Sequence, residues 1–135
     1  MTPTERLVAL LDHLGIGVAH IATQMPGDIA GLAAGYGARL GGIVLCVPTR
    51  LDPAAFAAFP DRVLMISGEV GLTADVTARA AERLAGSRRV VLAGYDAPGW
   101  ADVAVDRTDA IVGEIKGFLG RLKADAPKGS ARELG

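Results

Sequence analysis

The apolar positions of this chain switch repeatedly between helical and strand spacing. Leu7, Leu10, Leu11 and Leu14 share one helical face. Thr2, Pro3 and Glu5 supply its start: a hydroxyl cap, a proline where no N–H is needed, and a carboxylate that reaches back. Gly15 supplies the stop. Residues 18–22 (VAHIA) read as a short buried strand. Pro26 opens a second helix with Ile29, Leu32, Ala33 and Tyr36 on its apolar face, ended by Gly41 and Gly42. Residues 43–47 form the second strand, closed by Pro48. Asp52 and Pro53 begin a short helical turn over 54–58, ended by Pro60. Residues 62–67 (RVLMIS) form the third strand, and Thr73 caps a third helix carrying Val76, Ala80 and Leu84, stopped by Gly86. The fourth strand covers 89–93, a long loop covers 94–105, and Ile111, Ile115, Phe118, Leu119 and Leu122 mark the last helix.

Continuous apolar strands separated by helices imply a parallel sheet with both faces covered, a three-layer α/β/α arrangement with about four strands. Right-handed crossovers set successive strands side by side. The first strand is then an edge with unpaired N–H and C=O groups, which something should cover. A second copy of the chain is the simplest cover, so a homodimer is expected.

At 135 residues the chain is expected to be one domain over 1–123, and the polar stretch 124–135, with Pro127 and Gly129, a disordered tail. Half of the residues are apolar but only 4% are aromatic, so Ala, Val, Leu and Ile build the core. A net charge of −1 gives no basic footprint for nucleic acid. A single cysteine excludes an internal disulfide and a cysteine metal cluster. No stretch is long and apolar enough to span a bilayer and no leader pattern is visible, so no membrane partner and a cytoplasmic location are expected. Gly15-x-Gly17 precedes a strand instead of following one, no phosphate-binding G-x-x-x-x-G-K-[ST] occurs, and no His/Asp/Glu set has metal spacing. No cofactor and no metal are expected.

The junction at residues 22–27, Ala-Thr-Gln-Met-Pro-Gly, resembles the nucleophile elbow of α/β-hydrolases, a strand, tight turn and helix built on G-x-S-x-G. Met25 and Gly27 fit that pattern, but Gln24 stands at the serine position. Residues 68–73 (GEVGLT) resemble the turn that carries the catalytic acid, with Gly71 near its place and Glu69 two residues away. Residues 94–96 (GYD) resemble the turn that carries the catalytic histidine, with Asp96 in its place. From Glu5 to Leu122 the chain is similar to the C-terminal half of that family, without its N-terminal strands, its oxyanion loop or a lid: residues 49–61 are too few for one. The resemblance implies half of an α/β-hydrolase-like fold whose triad positions are not retained. An amide cannot form an acyl intermediate, and no imidazole is aligned to take a proton.

Ligands of open α/β sheets sit at the carboxyl ends of the strands. That rim gathers Thr23, Gln24, Thr49, Arg50, Glu69, Tyr95, Asp96 and Trp100. It reads either as a small polar pocket, with Gln24 and Arg50 holding an oxygen-rich group, or as solvated loop ends with Arg50 paired to Glu69 or Asp96. Trp100 beside Tyr95 reads as an anchor at an interface or ligand mouth, or as a plug over the sheet. His13 reads as a helix-surface residue, His20 as a hydrogen-bonded strand residue, and Cys46 as a buried, inert thiol. Ser67 closes a strand with no base beside it. Two functions remain: a catalytically degenerate half-length domain acting by homodimer assembly or by binding a small polar ligand or partner, or a hydrolase. The hydrolase would be completed by a second chain, or would use Asp96 and Glu69 in non-triad acid/base chemistry if they converge with Gln24 in one pocket.

Overall fold

The computed structural model describes residues 2–95 and 100–125. Helix α1 (Pro3–His13) starts as its residues dictate: Thr2 Oγ1 accepts the Glu5 N–H at 3.1 Å and Glu5 Oε2 accepts the Thr2 N–H at 3.0 Å. A reciprocal cap of this kind is worth about 1 kcal/mol. The chain continues through β1 (Ala19–Thr23), α2 (Gly27–Tyr36), β2 (Leu40–Cys46), β3 (Val63–Gly68), α3 (Leu72–Arg83), β4 (Arg88–Leu92), α4 (Trp100–Asp106) and α5 (Thr108–Asp125). Short 3-10 turns lie at Gly37–Arg39, Pro53–Phe56 and Pro60–Arg62.

The four strands are parallel and lie in chain order, β1-β2-β3-β4. Because side chains alternate along a strand, β2 and β3 feed two cores at once. On one face Ile43, Leu45, Val63 and Met65 meet Ile29, Leu32 and Ala33 of α2, Phe56, and Ala80 and Leu84 from α3 and its end. On the other, Val44, Cys46, Leu64, Ile66 and Leu92 meet Val103 of α4 and Ile111 and Phe118 of α5. The result is a three-layer α/β/α fold. Phe56 and Phe118 bury essentially their whole side chains, about 2–3 kcal/mol each.

Four local expectations are corrected. Gly41 and Gly42 do not end a helix; they lie in β2, which begins at Leu40. The ladder runs from Ala19–Leu40 to Ile21–Ile43, so both glycines stand opposite His20 in a bulge. A Cβ on Gly42 would lie 2.7 Å from Leu119 Cδ2, and one on Gly41 would lie 2.6 Å from His20 Nδ1. The glycines therefore permit close approach of α5 and of the imidazole. Thr73 does not cap α3: Gly71, at φ 95°, takes that place, and Thr73 is buried within the first turn. Residues 94–105 are not all loop, because α4 begins at Trp100 and is pinned by the fully buried Val103. A helix this short offers no readable period. Finally, α5 runs on through Ala124 to Asp125, while the rest of the expected tail, 126–135, lies outside the described residues.

Candidate functional site

The carboxyl ends of the strands place one expected residue after another along a rim, in the order β1 to β4. Thr23 ends β1, and its Oγ1 accepts the Met25 N–H at 3.0 Å, closing the turn that leads into α2. Gln24 follows it, exposed and without a side-chain hydrogen bond among the described residues. The turn at Gln24 has no left-handed residue. Among the described residues the non-glycine with positive φ is Val47, at 41°, where β2 ends. A β-branched residue there is an outlier in its own right, and its successor Pro48 disfavours that region no less. Val47 is held by full burial and by its N–H, which donates to Ile66 O at 2.8 Å.

Glu69 is spent on structure. Its Oε2 accepts the Gly94 N–H at 2.6 Å and its own N–H donates to Tyr95 O at 2.8 Å, so it ties the ends of β3 and β4 together. Tyr95 is half-buried; its hydroxyl donates to Asp106 Oδ2 at 3.3 Å and its ring lies 5.3 Å from the Arg107 guanidinium carbon. Arg107 Nη2 in turn donates to Ala93 O at 2.9 Å. Arg50 is exposed and forms no ion pair with Glu69; the one ion pair among the described residues is Arg39–Asp12 at 2.9 Å. Asp96 lies outside the described residues, and Trp100 is described only as the first residue of α4. The rim thus brings Glu69 and Tyr95 together and leaves Gln24 and Arg50 facing solvent. Grooves of about 480 Å³ (Leu51 to Ala57 against Val76, Arg79, Ala80 and Arg83) and 530 Å³ (Ser87 to Val91 with Glu114) lie elsewhere, and none of the rim residues lines either.

The remaining chemical groups sit as their surroundings require. Cys46 is buried, and desolvation pushes its thiol up to about 11 against a smaller opposing pull from the Thr23 backbone. Ser67 Oγ is fully buried and has no hydrogen-bond partner among the described residues. His13 is exposed on α1, and His20 Nδ1 accepts the Gly42 N–H at 2.8 Å, the donor that the bulge takes out of the ladder. No group of three metal-binding side chains occurs among the described residues. No helix among them is long and apolar enough to cross a membrane.

Sequence reasoning missed the arginines. Arg39 bonds Asp12, donates to Gly17 O and to Ile16 O at 2.7 Å each, and so fixes the segment that enters β1. Arg89 donates to Thr77 Oγ1 at 3.2 Å and to Ala74 O at 3.1 Å. These partners are 12 or more residues away, and no local pattern announces them.

No protein-family model matches the chain, and no curated protein matches it. Two solved structures do resemble it. A CIB-like hydrolase of Thermoplasma acidophilum superposes with a TM-score of 0.70 at 17% identity over 87% of this chain and 57% of that one. An enol-lactonase of Burkholderia xenovorans LB400 superposes with a TM-score of 0.62 at 18% identity over 87% of this chain and 71% of that one. At such identities the likeness is one of fold. The chain spans little more than half the length of the first.

Proposed function

Starting from a four-stranded part of an α/β-hydrolase-like fold, we propose that this chain acts by assembly, as a catalytically degenerate module that homodimerises. The observation that carries this reading is the state of β1. Among the described residues it has a strand neighbour on one side only, and its His20 and Ala22 side chains, on the α5 side of the sheet, are exposed. Neither β2 nor β3 is left open in this way: both are buried along nearly their whole length.

The rim chemistry supports the degenerate part of the reading. Triad hydrolysis needs a nucleophile whose proton an adjacent base removes. At the elbow stands an amide, Gln24. The nearest thiol, Cys46, is buried and hard to ionise, and the Ser67 hydroxyl is closed off inside the sheet. Glu69, the acid candidate, is already bonded to the β4 turn. A small polar ligand at Gln24 and Arg50 remains compatible with assembly, because both side chains are exposed without partners among the described residues.

The test of the degenerate part is labelling with a serine-directed fluorophosphonate probe together with turnover of a simple aryl ester. The native chain is expected to remain unlabelled, and Gln24→Ser to hydrolyse the ester no faster than Gln24→Ala. Stoichiometric labelling of the native chain would instead favour a hydrolase completed by a second chain.

A further inference from the structure

We infer that the outer edge of β1 is the dimer interface, pairing antiparallel with β1 of a second copy so that two four-stranded sheets join into one. This rests on the assembly reading above and names the surface and the partner. From Leu14 to Gly27 the chain has no Asp, Glu, Lys or Arg. About a two-fold axis every residue near the axis meets its own kind, so a charge there meets a like charge. A neutral strand tolerates self-pairing, and a partner with a charged edge would instead bury charges for which β1 offers no counter-ion.

Leu10 (51% exposed), Leu14 (58%), Ile16 (37%) and Val18 (44%) run from the end of α1 into the start of β1. These exposed apolar side chains flank the open strand and are available for a partner to cover. Arg39 holds this segment in place through Asp12, Ile16 and Gly17, so it is presented in a fixed conformation before association. There is also room: Ala22, directed to the side of the sheet that α5 leaves open at β1, is small enough to let a partner's strand approach.

The experiment pairs amide hydrogen exchange with a charge placed on the edge. In the native chain, amides of residues 18–24 are expected to gain protection as concentration is raised through the dimer transition, and those of β4 are not. Ala22→Lys sets two ammonium groups near one axis and is expected to weaken the dimer by about 100-fold, while Ala22→Ser leaves it within about threefold. If a dimer forms without new protection in 18–24, or if the lysine variant dimerises as tightly as the native chain, the β1 interface is overturned and assembly through another surface stands. A native chain that remains monomeric overturns both. The exchange readout uses the native chain alone, so a lysine variant that fails to fold does not blunt the test.

Discussion

The two edges of the sheet are strands of five residues built to opposite specifications. β4 begins with two arginines. Arg88 is in register with Leu64 on the α5 side and Arg89 with Met65 on the α3 side, so each face of that edge carries a cation. Charges on an edge strand keep other strands from adding to it. β1 has none: it reads Ala-His-Ile-Ala-Thr, and its one polar ring is already bonded to Gly42. The chain thus carries charge on one edge and leaves the other neutral, with exposed Leu14, Ile16 and Val18 just before it. The lesson is that the two edges are not chemically equivalent: one carries cations on both faces and the other carries none.

The largest effect is expected from erasing that difference. Arg88 makes no hydrogen bond or ion pair among the described residues, so Arg88→Val removes a guard without breaking a contact. With Arg88 gone and Arg89 held back by its bonds to Thr77 and Ala74, association is no longer expected to close at two copies, and concentration-dependent species larger than a dimer are expected in light scattering. A mass unchanged from the native chain would show that Arg88 guards nothing.

The covered centre between the edges gives the next effect. Cys46 ends β2, and its thiol is raised from 9.0 to about 11 by burial. The folded chain therefore holds this proton more tightly than the unfolded one, so the stability it contributes is complete below about pH 9 and lost as pH rises towards 11. Over that window the loss is about 2–3 kcal/mol, visible as a steeper fall in melting temperature than in Cys46→Ala. Parallel slopes for the two chains would mean that solvent reaches the thiol.

Smaller effects sharpen the contrast between the edges themselves. Arg89→Met gives up the bonds to Thr77 and Ala74 and is expected to cost about 1–3 kcal/mol with the dimer constant unchanged. Arg39→Met is expected to cost about 1–2 kcal/mol and, in addition, to weaken the dimer several-fold, because it frees Ile16 and Gly17 at the entry to β1. Chemical denaturation and sedimentation on the same samples separate the two. Equal effects on the dimer would dissolve the distinction between the edges.

Much of the fold was legible because its signals are local. The capping box of Thr2 and Glu5, the apolar runs of β2 and β3, and the face of α5 each lie within one short window of sequence. What was not legible depended on contacts across the fold. Gly41 and Gly42 looked like a helix stop because glycine often is one, whereas α5 and His20 are what require them. Gly71 displaced Thr73 as the cap of α3 because the threonine was wanted in the core. At the rim, the strand ends were foreseen but their bonding was not: Glu69 read either as a partner of Arg50 or as an acid/base carboxylate, and it instead ties the ends of β3 and β4 together. The Arg39 and Arg107 contacts join residues far apart in the chain or chemically unremarkable in sequence, so no motif could carry them.

The central claim is that this half sheet is completed by a second copy of itself. The most direct measurement is the mass of the native chain in solution, by light scattering during size exclusion over a wide dilution series. A mass of twice 13.8 kDa that persists on dilution is the expected result. A single 13.8 kDa species at every concentration would contradict the account, and would mean that β1 is left open for a different polypeptide.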